Sequence, residues 1–290
     1  MRTLTVSKKY NNKSLNSFLM DSFPELSINT LNKALRQKDI KINGIRVKEN
    51  VALHENDTVA VYITDDYLFK KINIDIVFED DNILVVNKPA GIEVITENKN
   101  TTSLTSILSN TYTFISPCHR IDRNTTGLVL FAKNKTSLNI LLDKFKNKEI
   151  KKYYKCTVYG IPKKSSDTLT AYLFKDNKKS MVYISDTPKT GYKKIITSYK
   201  VLETNIKNNT STLEVILEFS GRTHQIRAHL AHIGFPIIGD GKYGKNEINK
   251  KFNKKTQDLC SYKLLFSFTT DSDILNYLSG KQVEIWLLNF

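Results

Sequence analysis

Nine consecutive residues, His119-Arg120-Ile121-Asp122-Arg123-Asn124-Thr125-Thr126-Gly127, are almost wholly polar and hold one carboxylate between two arginines. They run without a spacer into Leu128-Val129-Leu130-Phe131, an apolar run typical of a strand covered on both faces. Burying unpaired charge is costly, so the boundary between core and solvent must fall between these two segments. A fold that satisfies both places a fixed polar loop at the end of a core strand and displays its side chains above a sheet. A second apolar run, Ile83-Leu84-Val85-Val86, follows the turn Glu79-Asp80-Asp81-Asn82 and ends at Lys88-Pro89-Ala90-Gly91.

The 290 residues suffice for one large domain and a small one, and 40% hydrophobic content supplies a core. In the large domain, strands are expected at 74–78, 83–86, 128–132, 153–159, 195–202 and 213–219. Helices are expected at 135–147, capped by Asn134, and at 223–232. This pattern is mixed α+β. The first 65 residues form a small α/β module. Leu15, Phe18, Leu19 and Phe23 recur at helical spacing before Pro24, which should end that helix. A second helix from about Asn29 puts Leu31, Ala34 and Leu35 on one face and Lys33, Arg36 and Lys38 on the other. Strands 40–42 and 45–47 flank the hairpin turn Asn43-Gly44, and strand 58–63 closes the module. The boundaries expected are 1–65 for the module, 66–73 for a linker and 74–290 for the large domain.

The formal net charge of +15 points to a polyanionic partner, usually nucleic acid. A lysine-rich surface set by the codon bias of an AT-rich genome is the alternative, and abundant Asn and Ile fit it. The charge is nevertheless concentrated. Residues 141–200 hold fifteen lysines against five acidic residues, and residues 1–50 ten basic against four acidic. No apolar run reaches the roughly 18–20 residues of a membrane helix. The segment Met1–Val6 leads into polar residues without a signal-peptide core, so the expected compartment is the cytoplasm. Cys118, Cys156 and Cys260 are far apart and form no Cys-x-x-Cys pair, so neither a zinc ribbon nor a disulfide framework is indicated.

Three stretches are candidates for chemistry. In the polar loop, Asp122 between Arg120 and Arg123 is expected to be ionised. A structural ion-pair cluster would look the same. A kinase reading of His-Arg-x-Asp fails, because Ile121 interrupts the motif and neither Asp-Phe-Gly nor a glycine-rich phosphate loop is present. In Gly221-Arg222-Thr223-His224-Gln225-Ile226-Arg227-Ala228-His229, Arg227 and His224 are three apart and are expected to share one helix face. The spacing of His224, His229 and His232 is not that of His-Glu-x-x-His, so no metal is expected. In the strand Lys151-Lys152-Tyr153-Tyr154-Lys155, a tyrosine is either core or a ring for stacking on a base.

Taken together, the stretches resemble the RluA-type family of RNA pseudouridine synthases. His119–Gly127 resembles its catalytic loop, Glu79–Gly91 its first motif, and Gly221–Arg227 with Pro236–Asp240 its third. The resemblance covers nearly all of 74–290. The N-terminal residues resemble the αL-type RNA-binding module first known from a ribosomal protein, which often precedes this catalytic domain. Departures are conservative at Ile121 and Thr126, while Cys260-Ser261 replaces a more usual His-Ala pair.

The resemblance implies a mixed, mostly antiparallel sheet with flanking helices, and isomerisation of uridine to pseudouridine in structured RNA, most often large-subunit ribosomal RNA. It implies Asp122 as the catalytic carboxylate, Arg227 as its partner and Tyr154 as the ring beside the base. Arg120 would fill the gap left by the flipped nucleotide, and Ile226 would line the pocket. His119, Arg123, Arg222 and His224, with Lys33, Arg36 and Lys38 of the module, would contact RNA. No cofactor, metal or membrane is implied, and a monomer is expected. Two other readings stand beside this one: a non-catalytic RNA-binding or ribosome-assembly factor, and a metal-dependent hydrolase built on His224, His229 and His232.

Overall fold

A computed structural model describes residues 1–23, 25–68, 73–98, 101–217 and 221–286. Pro24, Phe219 and part of the expected linker, 69–72, lie outside the described residues. The chain divides into two compact units, Met1–Asn73 and Ile74–Phe290.

The first unit runs β1 (Arg2–Thr5), α1 (Leu15–Ser22), α2 (Ile28–Gln37), β2 (Ile40–Ile42), β3 (Ile45–Val47), β4 (Thr58–Val61) and α3 (Asp65–Leu68). Its sheet, in the order β1-β4-β2-β3, is antiparallel throughout. The helical periodicity read from the sequence has its physical counterpart here. Leu15, Phe18 and Leu19 of α1 and Leu31, Ala34 and Leu35 of α2 are buried in one core with Ile40, Val59 and Val61. Ser14 and Ser27 cap the two helices by accepting the N–H of Ser17 and Thr30. Asn43 and Gly44 have φ of 51° and 82°, as a two-residue turn of this hand requires. Strand β1 was not expected, and β4 ends two residues early. The short α3 lies where the linker was expected to begin, and Leu68 is fully buried in the first unit's core.

The second unit runs β5 (Asp75–Glu79), β6 (Ile83–Lys88), α4 (Leu104–Leu108), β7 (Ser116–Pro117), β8 (Thr126–Ala132), α5 (Lys135–Lys146), β9 (Ile150–Tyr159), β10 (Ser166–Asp176), β11 (Met181–Ser185), β12 (Lys193–Asn205), β13 (Thr210–Leu217), α6 (Gln225–His232), α7 (Asn246–Lys251), β14 (Leu259–Phe266) and β15 (Gln282–Glu284). One sheet carries the order β11-β10-β12-β13-β9-β14-β8-β6-β5, with β15 paired to β14 and β7 to β8. Every pairing in it is antiparallel except β14 with β8. The sheet is therefore mixed and mostly antiparallel, as the family resemblance implied. The apolar runs are buried as read: Ile83–Val86 and Leu128–Ala132 are all inaccessible to solvent. Leu141 of α5 packs on one end of the sheet with Ile83, Val85, Leu128 and Leu130. Ala228 of α6 packs on the other end with Ala171, Leu173, Val182 and Ile195. Asn134 caps α5 through Ser137 N–H.

The parallel contact between β8 and β14 is short, Cys260 to Thr126 and Ser261 to Gly127. Gly127 has φ of +105°, and a Cβ there would collide with the backbone of Ser261. Glycine thus allows two strands to meet closely at the place where the polar loop turns into β8. β9 lies on the other side of β14, and α6 follows β13 after the described residues resume at 221. These positions bring the three chemical stretches to the middle of the sheet.

Candidate active site

The polar loop is fixed before its functional side chains are considered. Cys118 N donates to Leu130 O, and Leu130 N donates to His119 Nε2 at 3.1 Å. Burial holds the His119 imidazole well below its usual pKa, and the nearby charge of Lys152 lowers it further, so the ring is neutral with its proton on Nδ1. Thr125 N donates to Asp122 O, and Thr125 Oγ1 accepts from Gln257 Nε2 at 2.6 Å. Gly91 and Arg123 bond reciprocally, Gly91 N to Arg123 O and Arg123 Nε to Gly91 O, each at 2.9 Å. Beneath them, the fully buried ammonium of Lys88 donates to the carbonyls of Pro89, Ile92 and Arg123 at 2.8–2.9 Å. Burial lowers its pKa to about 8, while the charge of Asp122 pulls the other way. Lys88 therefore pins the end of β6 and the polar loop to one another.

Asp122 Oδ2 accepts from Arg227 Nη1 at 3.0 Å, and His224 Nε2 stands 4.0 Å from the same oxygen. Arg227 also grips Asp240 with two bonds, Nε to Oδ2 at 2.7 Å and Nη2 to Oδ1 at 2.9 Å. Asp240 is fully buried and accepts two backbone N–H groups as well, from Lys242 and Tyr243. Burial works against the charge of Arg227, but its bonds and charge contact with Asp240, and then Asp122, raise its pKa above the ordinary value. Burial likewise works against the Asp240 anion, and Arg227 with the two amides reverses it.

The partner that the family resemblance implied for Asp122, Arg227, is found there, while a pairing with the two flanking arginines is corrected. Among the described residues the cation bonded to Asp122 is Arg227, 105 positions away, not Arg120 or Arg123. The shared helix face expected for His224 and Arg227 is also corrected. His224 precedes α6 in a left-handed conformation, φ 53°, and reaches Asp122 from that turn. His229 and His232, grouped with it by spacing, have separate partners, Thr197 Oγ1 and Asp186 Oδ1. No cluster of three or more His, Cys, Asp or Glu that could hold a metal occurs among the described residues.

Asp122, Tyr154, Arg227, Arg120, Ile226, Arg222 and His224 line one cavity of about 150 Å³. Tyr154 belongs to β9 and is buried. Burial pushes its phenol pKa up and the charge of Asp122 adds to the shift, so the ring is neutral at ordinary pH. The Nε of Arg222 is enclosed with no acceptor among the described residues. The cavity opens into a wider groove that Arg123, Lys175, Lys242 and Lys255 also line. His119 lines a separate hollow with Phe145 and Lys152. Lys33, Arg36 and Lys38 belong to the first unit, where all three are exposed on and just after α2.

Sequence reasoning gave no role to Lys88, Lys152, Asp240 or Tyr243, although each lies in or beside a stretch it singled out. A lysine followed by Pro-Ala-Gly and an aspartate closing Pro236–Asp240 were visible, but only the folded chain shows which carbonyls and which arginine they meet.

The sequence profile of a family described as RNA pseudouridylate synthase matches residues 82–232. The ribosomal large subunit pseudouridine synthase C of Rickettsia bellii is 34% identical over 254 residues, covering 81% of this chain and 83% of its own. An uncharacterized RNA pseudouridine synthase of Mycoplasma capricolum is 32% identical over 98% of this chain and 97% of its own. Among solved structures, human RNA pseudouridylate synthase domain containing 1 superposes with a TM-score of 0.58 at 22% identity, covering 75% of this chain and 91% of that one. Human RNA pseudouridylate synthase domain containing 4 superposes with a TM-score of 0.59 at 20% identity, covering 73% and 88%. The two structures share the fold.

Replacing Lys88 with Met tests the pinning of the loop. It keeps the length of the side chain but leaves the carbonyls of Pro89 and Ile92 without this donor, while Arg123 O keeps the N–H of Gly91, at a cost of about 1–3 kcal/mol for each group that water cannot reach. Urea unfolding should show a loss of at least about 1 kcal/mol, and an unchanged midpoint would contradict the arrangement.

Proposed function

The chain belongs to the family of RNA pseudouridine synthases, which isomerise uridine to pseudouridine in RNA, and on that premise we propose that Asp122 is its catalytic carboxylate and structured ribosomal RNA its substrate. The observation that carries the assignment is the placement of Asp122 in the cavity, bonded by Arg227 and facing a buried tyrosine. The reaction breaks the bond between ribose C1′ and uracil N1, turns the base, and joins C1′ to C5. The proton lost from C5 balances the one gained at N1, so no electrons are exchanged and neither a cofactor nor a metal is required. An ionised carboxylate serves every route, whether it attacks the nucleotide covalently or assists an unsaturated sugar intermediate. Arg227 bonds one of its oxygens and fixes its rotamer.

Tyr154, held as a neutral phenol in the cavity with Asp122, would offer a face on which the base stacks and a group beside which the C5 proton can leave. Ile226 closes the apolar side of the cavity. A uridine in a stacked helix reaches Asp122 only after flipping out, at a cost of a few kcal/mol. Arg120, exposed at the cavity, is suited to fill the gap it leaves. Phosphate contacts offset that cost. The cavity holds Arg120, Lys152, Arg222 and Arg227 against the carboxylate of Asp122, a surplus of positive charge that neutral uracil does not answer and flanking phosphates do. Arg123 adds a cation to the adjoining groove, while the neutral His224 and His119 order the two sides of the site. The first unit, with Lys33, Arg36 and Lys38 outward on or beside one helix, supplies a second RNA contact. Relatives named as ribosomal large subunit pseudouridine synthase C support ribosomal RNA as the substrate. We place the enzyme in the cytoplasm as a monomer.

The test is release of tritium from RNA labelled at uridine C5. Asp122→Asn should abolish release while RNA affinity stays within a few-fold of the parent. Release by the variant would refute the assignment, and binding without release by the parent would favour a non-catalytic RNA-binding factor.

Lys152 makes the site sensitive to pH. It lies on the cavity wall over the Phe145 ring, with no hydrogen bond or ion pair among the described residues. Burial lowers its pKa to about 8. Below that value it is a cation, and as pH rises through it the charge is lost. RNA affinity at fixed salt should therefore fall severalfold between pH 7 and 9, and Lys152→Arg should flatten the curve, because a guanidinium stays charged throughout. A decline that persists unchanged in Lys152→Arg would assign the titration elsewhere.

A further inference from the structure

Tyr243 lies just past Asp240, and its hydroxyl oxygen accepts the backbone N–H of Val182 on β11 at 2.9 Å. The same hydroxyl is 2.9 Å from His224 Nδ1. Because Val182 already donates to that oxygen, the hydroxyl proton is free to go to Nδ1. A neutral imidazole that accepts at Nδ1 carries its own proton on Nε2. His224 is neutral: burial brings its pKa down to about 4, against the pull of Asp122, and Arg227 and Lys242 lower it further while Asp240 opposes them. The ring is presented by an unusual backbone. φ of 53° is rare outside glycine, and such strain concentrates where a side chain must be aimed. Gln225 anchors that turn, accepting Arg222 N–H and donating to Ile196 O.

The result at Asp122 is asymmetric. Oδ2 holds Arg227 Nη1 at 3.0 Å and faces His224 Nε2 at 4.0 Å, while Oδ1 has no hydrogen bond among the described residues. The tautomer matters because Nε2–H sets a donor against the carboxylate, whereas the opposite tautomer would set a lone pair against it. We propose that Tyr243 and His224 decide which oxygen of Asp122 meets the nucleotide: Tyr243 fixes the Nε2–H tautomer, Arg227 bonds Oδ2 while His224 turns its Nε2–H toward that same oxygen from 4.0 Å, and Oδ1 is left to react. Both are positioning residues, and the inference rests on the reading of Asp122 as the catalytic carboxylate.

The test is a double-mutant cycle on tritium release at saturating RNA. Tyr243→Phe keeps the ring beside the Arg227 guanidinium, 5.3 Å from its centroid, and removes only the hydroxyl. It should lower kcat by ~10–100-fold and leave KM within about twofold, since the groups that hold RNA are untouched. His224→Gln supplies an amide N–H near the place of Nε2 with no tautomer to choose. In that background Tyr243→Phe should cost no further kcat. An equal cost in both backgrounds, or none in the parent, overturns the inference. Should Tyr243→Phe fail to fold, His224→Leu makes the same comparison, and His224→Gln must exceed it in kcat by at least ~10-fold. Equality of those two variants also overturns it. Asp122→Asn in the same assay separates the two failures: activity there removes the catalytic reading itself, whereas inactivity there with an additive cycle removes only the role of Tyr243 and His224.

Discussion

Arg227 is held by two bonds to the fully buried Asp240 and gives its remaining Nη1 to Asp122. A carboxylate without solvent is tolerable only when paired, and removing one partner of such a pair costs about 3–5 kcal/mol. Asp240 therefore cannot drift, because Arg227 and the N–H groups of Lys242 and Tyr243 surround it. Arg227 in turn cannot rotate away without breaking both bonds. The rigidity of the buried pair passes to the half-exposed Asp122, which would otherwise be a mobile side chain on a polar loop.

The sheet makes this chain of charges possible. Asp122 precedes β8, Tyr154 lies on β9, and Arg227 lies on the helix that follows β13. In the order β13-β9-β14-β8 these elements are close neighbours, although 105 residues separate Asp122 from Arg227. Gly127 lets β8 approach β14 at the turn, and Lys88 ties the loop to the end of β6. The positions of the reacting groups are thus set by backbone pairing and buried bonds, with α6 carrying Arg227 to them.

Much of this was legible in the sequence where a local rule governs. The capped helix after Asn134, the Asn43-Gly44 turn and the burial of Leu128–Ala132 depend on neighbours within a few residues, and they form as expected. The polar loop was visible because a dense charge cluster beside an apolar strand is conspicuous. Its counter-ion Arg227 was legible only through the family resemblance, since the nearest cations in sequence, Arg120 and Arg123, are not the ones bonded to Asp122. Asp240 looked like one more loop residue, and nothing local marks it as buried. Strands β10, β11 and β14 were missed: the polar start of β10 resembles an exposed segment, β11 is only five residues long, and β14 lacks a clean apolar-polar alternation. β1 was missed because four residues carry too little periodicity to detect. His224 was misplaced onto the helix because a left-handed histidine leaves no signature in the sequence.

The account depends on Asp240 acting through Arg227 on Asp122, and the single-turnover rate of Asp240→Asn at saturating RNA tests that most directly. The substitution keeps the shape of the side chain and removes the charge that anchors Arg227. Measured on the folded fraction, the rate should fall by ~100-fold, the loss expected when a reacting group is displaced by about an ångström, while the RNA dissociation constant stays near that of the parent. A rate equal to the parent's would show that Asp122 holds its place without the buried pair, and would contradict the account.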